Sequence, residues 1–111
     1  MKNRSSRRAK ACAITDPVRK SVYDRDNWEC VLNGPDCEHT RMLTPAHVVA
    51  AAHNGLGIEE NLVTACIPCH RIFDNGTKEE RKAMYDKAVA YLRTKCINYD
   101  KIPKVYSKYG F

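Results

Sequence analysis

Four cysteines fall in two pairs, Cys30/Cys37 and Cys66/Cys69, and three polar residues, His47, Asn61 and His70, lie between or directly after them. Two thiolate pairs, one a tight C-x-x-C, supply what a tetrahedral zinc ion needs. The segment between the pairs is then a loop closed by metal, with zinc as the frame and His47, Asn61 and His70 as the working parts. The first pair is C-x6-C, longer than a usual zinc knuckle, but Asn33, Gly34 and Pro35 at its centre are turn residues that fold the sulfurs together. Two disulfides or four unpaired core thiols are the alternatives, and both fit pairs that flank turns less well. Cys12 and Cys96 stand outside the pairs and are expected as free, small buried residues.

His70 directly follows Cys69, so the second knuckle fixes its backbone. Asp74 lies four residues on, on the same helical face. A histidine and a carboxylate at that spacing can share one ion. This would be a second, more open site suited to Mg, Mn, Ni or Zn. His39, among charged and polar neighbours, is read as a surface histidine without a role.

The elements that must position these groups are legible as patterns. Asp16-Pro17 reads as an N-cap and a first-turn proline, opening a helix to about Asp26 with Val18, Val22 and Tyr23 on one side. Trp28 is expected to pack beside the zinc knuckle. Residues 42–49 read as a strand, with Pro45 arguing for an edge. Residues 50–60 read as a loop, long for a hairpin, and 61–65 as the returning strand. Pro68 opens a helix that ends at Asn75-Gly76. Thr77 and Glu80 form a capping box before a helix to about Lys95, with Met84, Tyr85, Ala88, Tyr91 and Leu92 as its apolar stripe. Three segments result: a basic, disordered arm over 1–13, a zinc-stapled domain over 14–95, and a tail over 96–111 in which Tyr99, Tyr106 and Tyr109 alternate with lysines.

The chain has 111 residues, six cysteines and a formal charge of +6. That length suits one domain with a thin core, for which metal ligation is a common remedy. The first ten residues are basic and polar, with no apolar run of signal-peptide length, and nothing approaches a membrane span. A reducing cytoplasm is expected, where paired cysteines more often bind metal than each other. The basic excess points to a polyanion, nucleic acid first. Arg4, Arg7, Arg8 and Lys10 are expected to contact phosphates.

The order His47, Asn61, His70, within the pattern A-H-V-V…G-L-G-I-E-E-N-L-V-T-x-C-x-x-C-H, resembles the HNH endonucleases, the ββα-metal nucleases, and looks like the small HNH proteins of bacteriophage genomes. The resemblance spans roughly residues 25–76, and the cysteine quartet is similar to that of the zinc-bearing HNH subset. It implies an α+β fold, a small zinc-stapled ββα-metal core with flanking helices. It also implies that His47 is the general base, that Asn61 ties the loop and helps hold His47, and that His70 binds the catalytic metal. Asp74 falls where some relatives place another ligand. The chain departs from the pattern at Ala46, because most relatives carry Asp or His there as a metal ligand. Either His53 or water fills the gap, water being preferred because His53 sits in a glycine-containing loop.

The expected activity is metal-dependent hydrolysis of DNA to 5′-phosphate and 3′-hydroxyl ends, with a structural zinc and a catalytic divalent ion (Mg, Mn, Ni or Zn). An imidazole can take a proton from water, and a divalent ion can stabilise charge on the phosphoryl group. The expected partners are DNA and, for a phage-encoded chain acting in a host cytoplasm, packaging or recombination proteins. The rival is a non-catalytic zinc-knuckle DNA-binding module, which explains cysteines and charge but gives His47, Asn61 and His70 no shared purpose. A structural zinc protein of a larger assembly is a third reading.

Overall fold

Two short strands carry the fold. In the computed structural model, which describes residues 6–107, β1 (Leu43–His47) runs antiparallel to β2 (Leu62–Cys66), with Leu43 opposite Cys66 and His47 opposite Leu62. Pro45 pairs with Thr64. The backbone groups of Thr64 point away from β1: its carbonyl accepts from Val31 N at 2.8 Å and its N–H donates to Asp26 Oδ2 at 2.9 Å. The Pro45–Thr64 pair is therefore a non-hydrogen-bonded one, and the missing proline N–H removes no ladder bond.

Four helices surround the pair: α1 (Arg7–Cys12), α2 (Asp16–Arg25), α3 (Ile67–Asn75) and α4 (Lys78–Lys95). The fold is a small α+β unit. Short 3-10 turns at Ala51–His53 and Glu59–Asn61 break up the long loop after β1, and a third lies at Tyr99–Lys101. The capping box at Thr77 and Glu80 is formed in both directions, at 2.9 and 3.0 Å. Of the apolar stripe of α4, Met84, Ala88 and Leu92 are buried, while Tyr85 is 42% exposed. They join Ala46, Val48, Val63 and Ala65 in one core that also takes in the cysteines of both pairs. Among the described residues, no helix is long and apolar enough to cross a membrane.

Three expectations change. Thr15, not Asp16, caps α2: its extended backbone lets the hydroxyl accept from Val18 N, and Asp16 becomes the first helical residue, where its charge suits the helix dipole. Residues 7–12 of the expected arm form α1, capped by Ser6 and seated by buried Cys12. Trp28, expected beside the zinc knuckle, is 49% exposed and not part of the core. It has a φ of 55°, its indole donates to Asp24 at 2.9 Å, and its ring lies 4.8 Å from that of Tyr23.

A buried polar hub joins α2, β2 and α4. Asp26, 4% exposed, accepts from Arg25, from Thr64 N and from the Tyr91 hydroxyl at 2.7 Å. Arg25 also donates to the carbonyls of Glu59 and Leu62. Burial opposes the charge on Arg25, but Asp26 outweighs it and raises Arg25 above its ordinary value. Burial, then the bond to Asp26, pushes Tyr91 up to about 12. Among the described residues no buried side-chain N or O atom lacks a hydrogen-bond partner, as a stable polar hub requires.

Candidate functional site

The sulfurs of Cys30, Cys37, Cys66 and Cys69 lie within 4.8 Å of one another. A tetrahedral ion with metal–sulfur bonds of about 2.3 Å places its sulfurs about 3.8 Å apart, and Cys37 and Cys66 are 3.9 Å apart. The four thiols are thus placed to hold a metal ion, and the geometry is compatible with zinc. None of the six cysteines is in a disulfide.

The backbone prepares the cluster. Gly34 N donates to Cys69 Sγ at 3.2 Å, Glu38 N to Cys66 Sγ at 3.3 Å and His39 N to Cys37 Sγ at 3.3 Å. Such bonds favour thiolates. Among the described residues, five of the seven non-glycine residues with positive φ (Asn27, Trp28, Asn33, His39 and Met42) lie in this one connection, which winds tightly to bring the first pair onto the end of β2. In the metal-free chain burial pushes the Cys69 and Cys37 thiols up. Burial acts on Cys66 too, but the N–H groups of Glu38 and Cys69 overcome it and hold that thiol below its ordinary value. Four crowded sulfurs do not all ionise unaided; a cation among them reverses this.

At the other end of the hairpin lies His47. Its Nε2 is 2.8 Å from the Cys12 carbonyl oxygen. A carbonyl only accepts, so Nε2 carries the proton and, in the neutral ring, Nδ1 holds the lone pair. The following loop is pinned from within by Asn61, which is fully buried. Its Oδ1 accepts from Val49 N at 2.8 Å, and its Nδ2 donates to the carbonyls of Val49 and Leu56 at 3.1 and 2.9 Å. The loop is also pinned from both sides. Arg8 donates to Asn54 Oδ1 and the Ala51 carbonyl, and Gly57 N donates to Ala11 O. From the C-terminal segment, Lys104 O accepts from Leu56 N, and Tyr106 N donates to Asn54 O. Gly57 is required by close approach, since a side chain there would strike the Ala13 carbonyl.

His70 and Asp74 meet on α3, with Nε2 and Oδ2 3.5 Å apart. Asp74 shares a cleft of about 580 Å³ with His47, Ala50, His53, Lys78 and Arg81; His70 does not line it. Among the described residues, the four cysteines are the one group of three or more His, Cys, Asp or Glu placed to share an ion. Ala46, at the departure from the family pattern, is fully buried in the core opposite Val63. Of the residues expected to contact phosphates, Arg7 and Lys10 are exposed on α1, Arg8 is engaged with the loop, and Arg4 lies outside the described residues, as does Tyr109. The Cys12 carbonyl, the Arg8 clamp and the Asp26 hub had no sequence signal. Lys78 and Arg81 do have one: they lie one turn apart on a helix joined to α3 only by Gly76 and Thr77.

No family model matches the chain, and comparisons with curated proteins and with solved structures give no match.

Proposed function

We propose that the chain is a metal-dependent endonuclease of the HNH, ββα-metal type, with β1, β2 and α3 as its core and a structural zinc on Cys30, Cys37, Cys66 and Cys69. The observation that carries this reading is the bond from His47 Nε2 to the Cys12 carbonyl, beside a cleft that also holds Asp74. A histidine fixed through one ring nitrogen presents the other as a base of defined direction. His47 Nδ1 takes the proton of a water that attacks phosphorus; the P–O3′ bond breaks and O3′ takes a proton from solvent, leaving 5′-phosphate and 3′-hydroxyl ends. His70 and Asp74 would hold a divalent ion, which would supply charge neutralisation at the phosphate. Asn61 keeps the loop that follows His47 closed, and Arg7 and Lys10 contact flanking phosphates.

Supercoiled plasmid incubated with Mg, Mn or Ni and an EDTA control tests the reading. His47→Ala should keep zinc and fold but lose a factor of about 10²–10⁴ in cleavage. Cleavage by His47→Ala at the wild-type rate rules out the assigned base. A second reading, a non-catalytic zinc-knuckle DNA-binding module, draws on Ala46: its burial leaves His70 and Asp74 without a third protein ligand among the described residues. DNA binding with no cleavage under any divalent ion would establish that reading instead.

A further inference from the structure

We infer that the first turns of α4 form a phosphodiester-binding wall, with Lys78 and Arg81 as the residues that seat the DNA strand across the cleft. The inference rests on the nuclease reading for its ligand and on the charges of the cleft for its location. The cleft is walled by the loop from His47 through Ala50 to His53 and by Asp74 of α3 with Lys78 and Arg81 of α4. A polyanion entering here meets two carboxylates, Asp74 and Asp86. Asp86 is already paired, its Oδ2 lying 2.7 Å from Lys82 Nζ. Asp74 faces His70 at 3.5 Å. Lys78 and Arg81 line the same cleft, are exposed, and have no ion-pair or hydrogen-bond partner for their side chains among the described residues. They are therefore the uncommitted positive charge of this cleft.

Helix stability does not account for them. Cations near a helix N-terminus oppose the dipole, and α4 already has its capping box from Thr77 and Glu80. Residues three apart are neighbours on a helix surface, so Lys78 and Arg81 form one continuous basic edge of the cleft. Arg81 offers a planar fork suited to phosphate oxygens and Lys78 a point charge. The strand thus lies between the two walls, its reacting phosphate near His47 and Asp74 and its neighbours against α4. Because charge and not base edges is engaged, this wall holds DNA without reading sequence.

The test is the double variant Lys78→Ala/Arg81→Ala, made in a His47→Ala background so that duplex DNA stays intact during binding. Loss of two phosphate contacts should weaken binding roughly 10–30-fold at physiological salt and lower the slope of log K against log salt by about 1.8. Lys87→Ala, on another face of α4, is the control and should change neither. In the otherwise wild-type protein the double variant should raise KM with kcat unchanged. An unchanged slope while the parent binds DNA overturns the inference and leaves the nuclease reading intact. The predicted slope change in a protein that cleaves nothing under any divalent ion overturns the nuclease reading and keeps the wall. Absence of DNA binding by the parent overturns the wall.

Discussion

The two ends of one five-residue hairpin are held by different means. At the Leu43–Cys66 end the chain converges on four sulfurs, three of them accepting backbone N–H groups. The His47–Leu62 end has no cluster of sulfurs; a buried asparagine, an arginine and backbone groups of both terminal segments hold a long loop. The four sulfurs are placed to hold an ion, which would fix that end all or none. The loop end gains its strength from many neutral hydrogen bonds, each of modest net value. The two ends of the ladder therefore depend on different kinds of interaction, and a change at one need not be felt at the other.

The largest expected effect comes from breaking the sulfur end. Cys66 is fully buried and sits where β2 ends and α3 begins. Apparent binding free energies of structural zinc are about 10–16 kcal/mol, comparable with or larger than the whole stability of a small domain. Cys66→Ala should therefore unfold the chain, with loss of helical circular dichroism and of the roughly one zinc per chain expected by elemental analysis. A folded, zinc-free Cys66→Ala protein would show that the loop end and the core suffice alone.

That contrast also decides what a sequence reader can see. The C-x-x-C, the capping box and the spacing of Met84, Ala88 and Leu92 are side-chain patterns of local period, and the structure contains each of them. The partner of His47 is a backbone carbonyl 35 residues away, and any residue type supplies a carbonyl. Arg8 looked like one cation of an arm because its acceptors, Asn54 Oδ1 and the Ala51 carbonyl, are 46 and 43 residues away. Trp28 was misread because a lone tryptophan is usually core; here the tight turn at Asn27 and Trp28, both with positive φ, carries the ring outward onto Tyr23. The departure at Ala46 was visible, but its burial was not, since that depends on the core to which α4 contributes Met84, Ala88 and Leu92.

Ala46 lies between the two ends, and an intermediate effect is expected there. Ala46→Asp introduces one of the two residues, Asp or His, that most HNH nucleases carry at the matching place, here at a position with no exposure. Without a divalent ion it should cost about 3–5 kcal/mol in urea unfolding, as an uncompensated buried charge does. If position 46 reaches an ion held by His70 and Asp74, Mn²⁺ at 100 times its dissociation constant should return about 2.7 kcal/mol. A loss that Mn²⁺ does not relieve assigns the position to the core alone and sets both of its neighbouring strand ends apart from catalytic metal.

The smallest effect should come from loosening the loop end by itself. Asn61→Ala removes the acceptor for Val49 N and the donor to the carbonyls of Val49 and Leu56, all in a buried setting. Leaving buried groups unsatisfied costs about 1–3 kcal/mol, less where water enters, so the variant should stay folded and keep its zinc. Hydrogen exchange should quicken at Val49 and along residues 53–57, while the amides of Gly34, Glu38 and His39, which face the sulfurs, keep their protection. Cleavage, if the nuclease reading holds, should fall more than stability does, because the same loop carries the chain away from His47. Equal loss of protection at both ends would mean that the hairpin opens as one unit, and the division of labour between sulfur and amide would not hold.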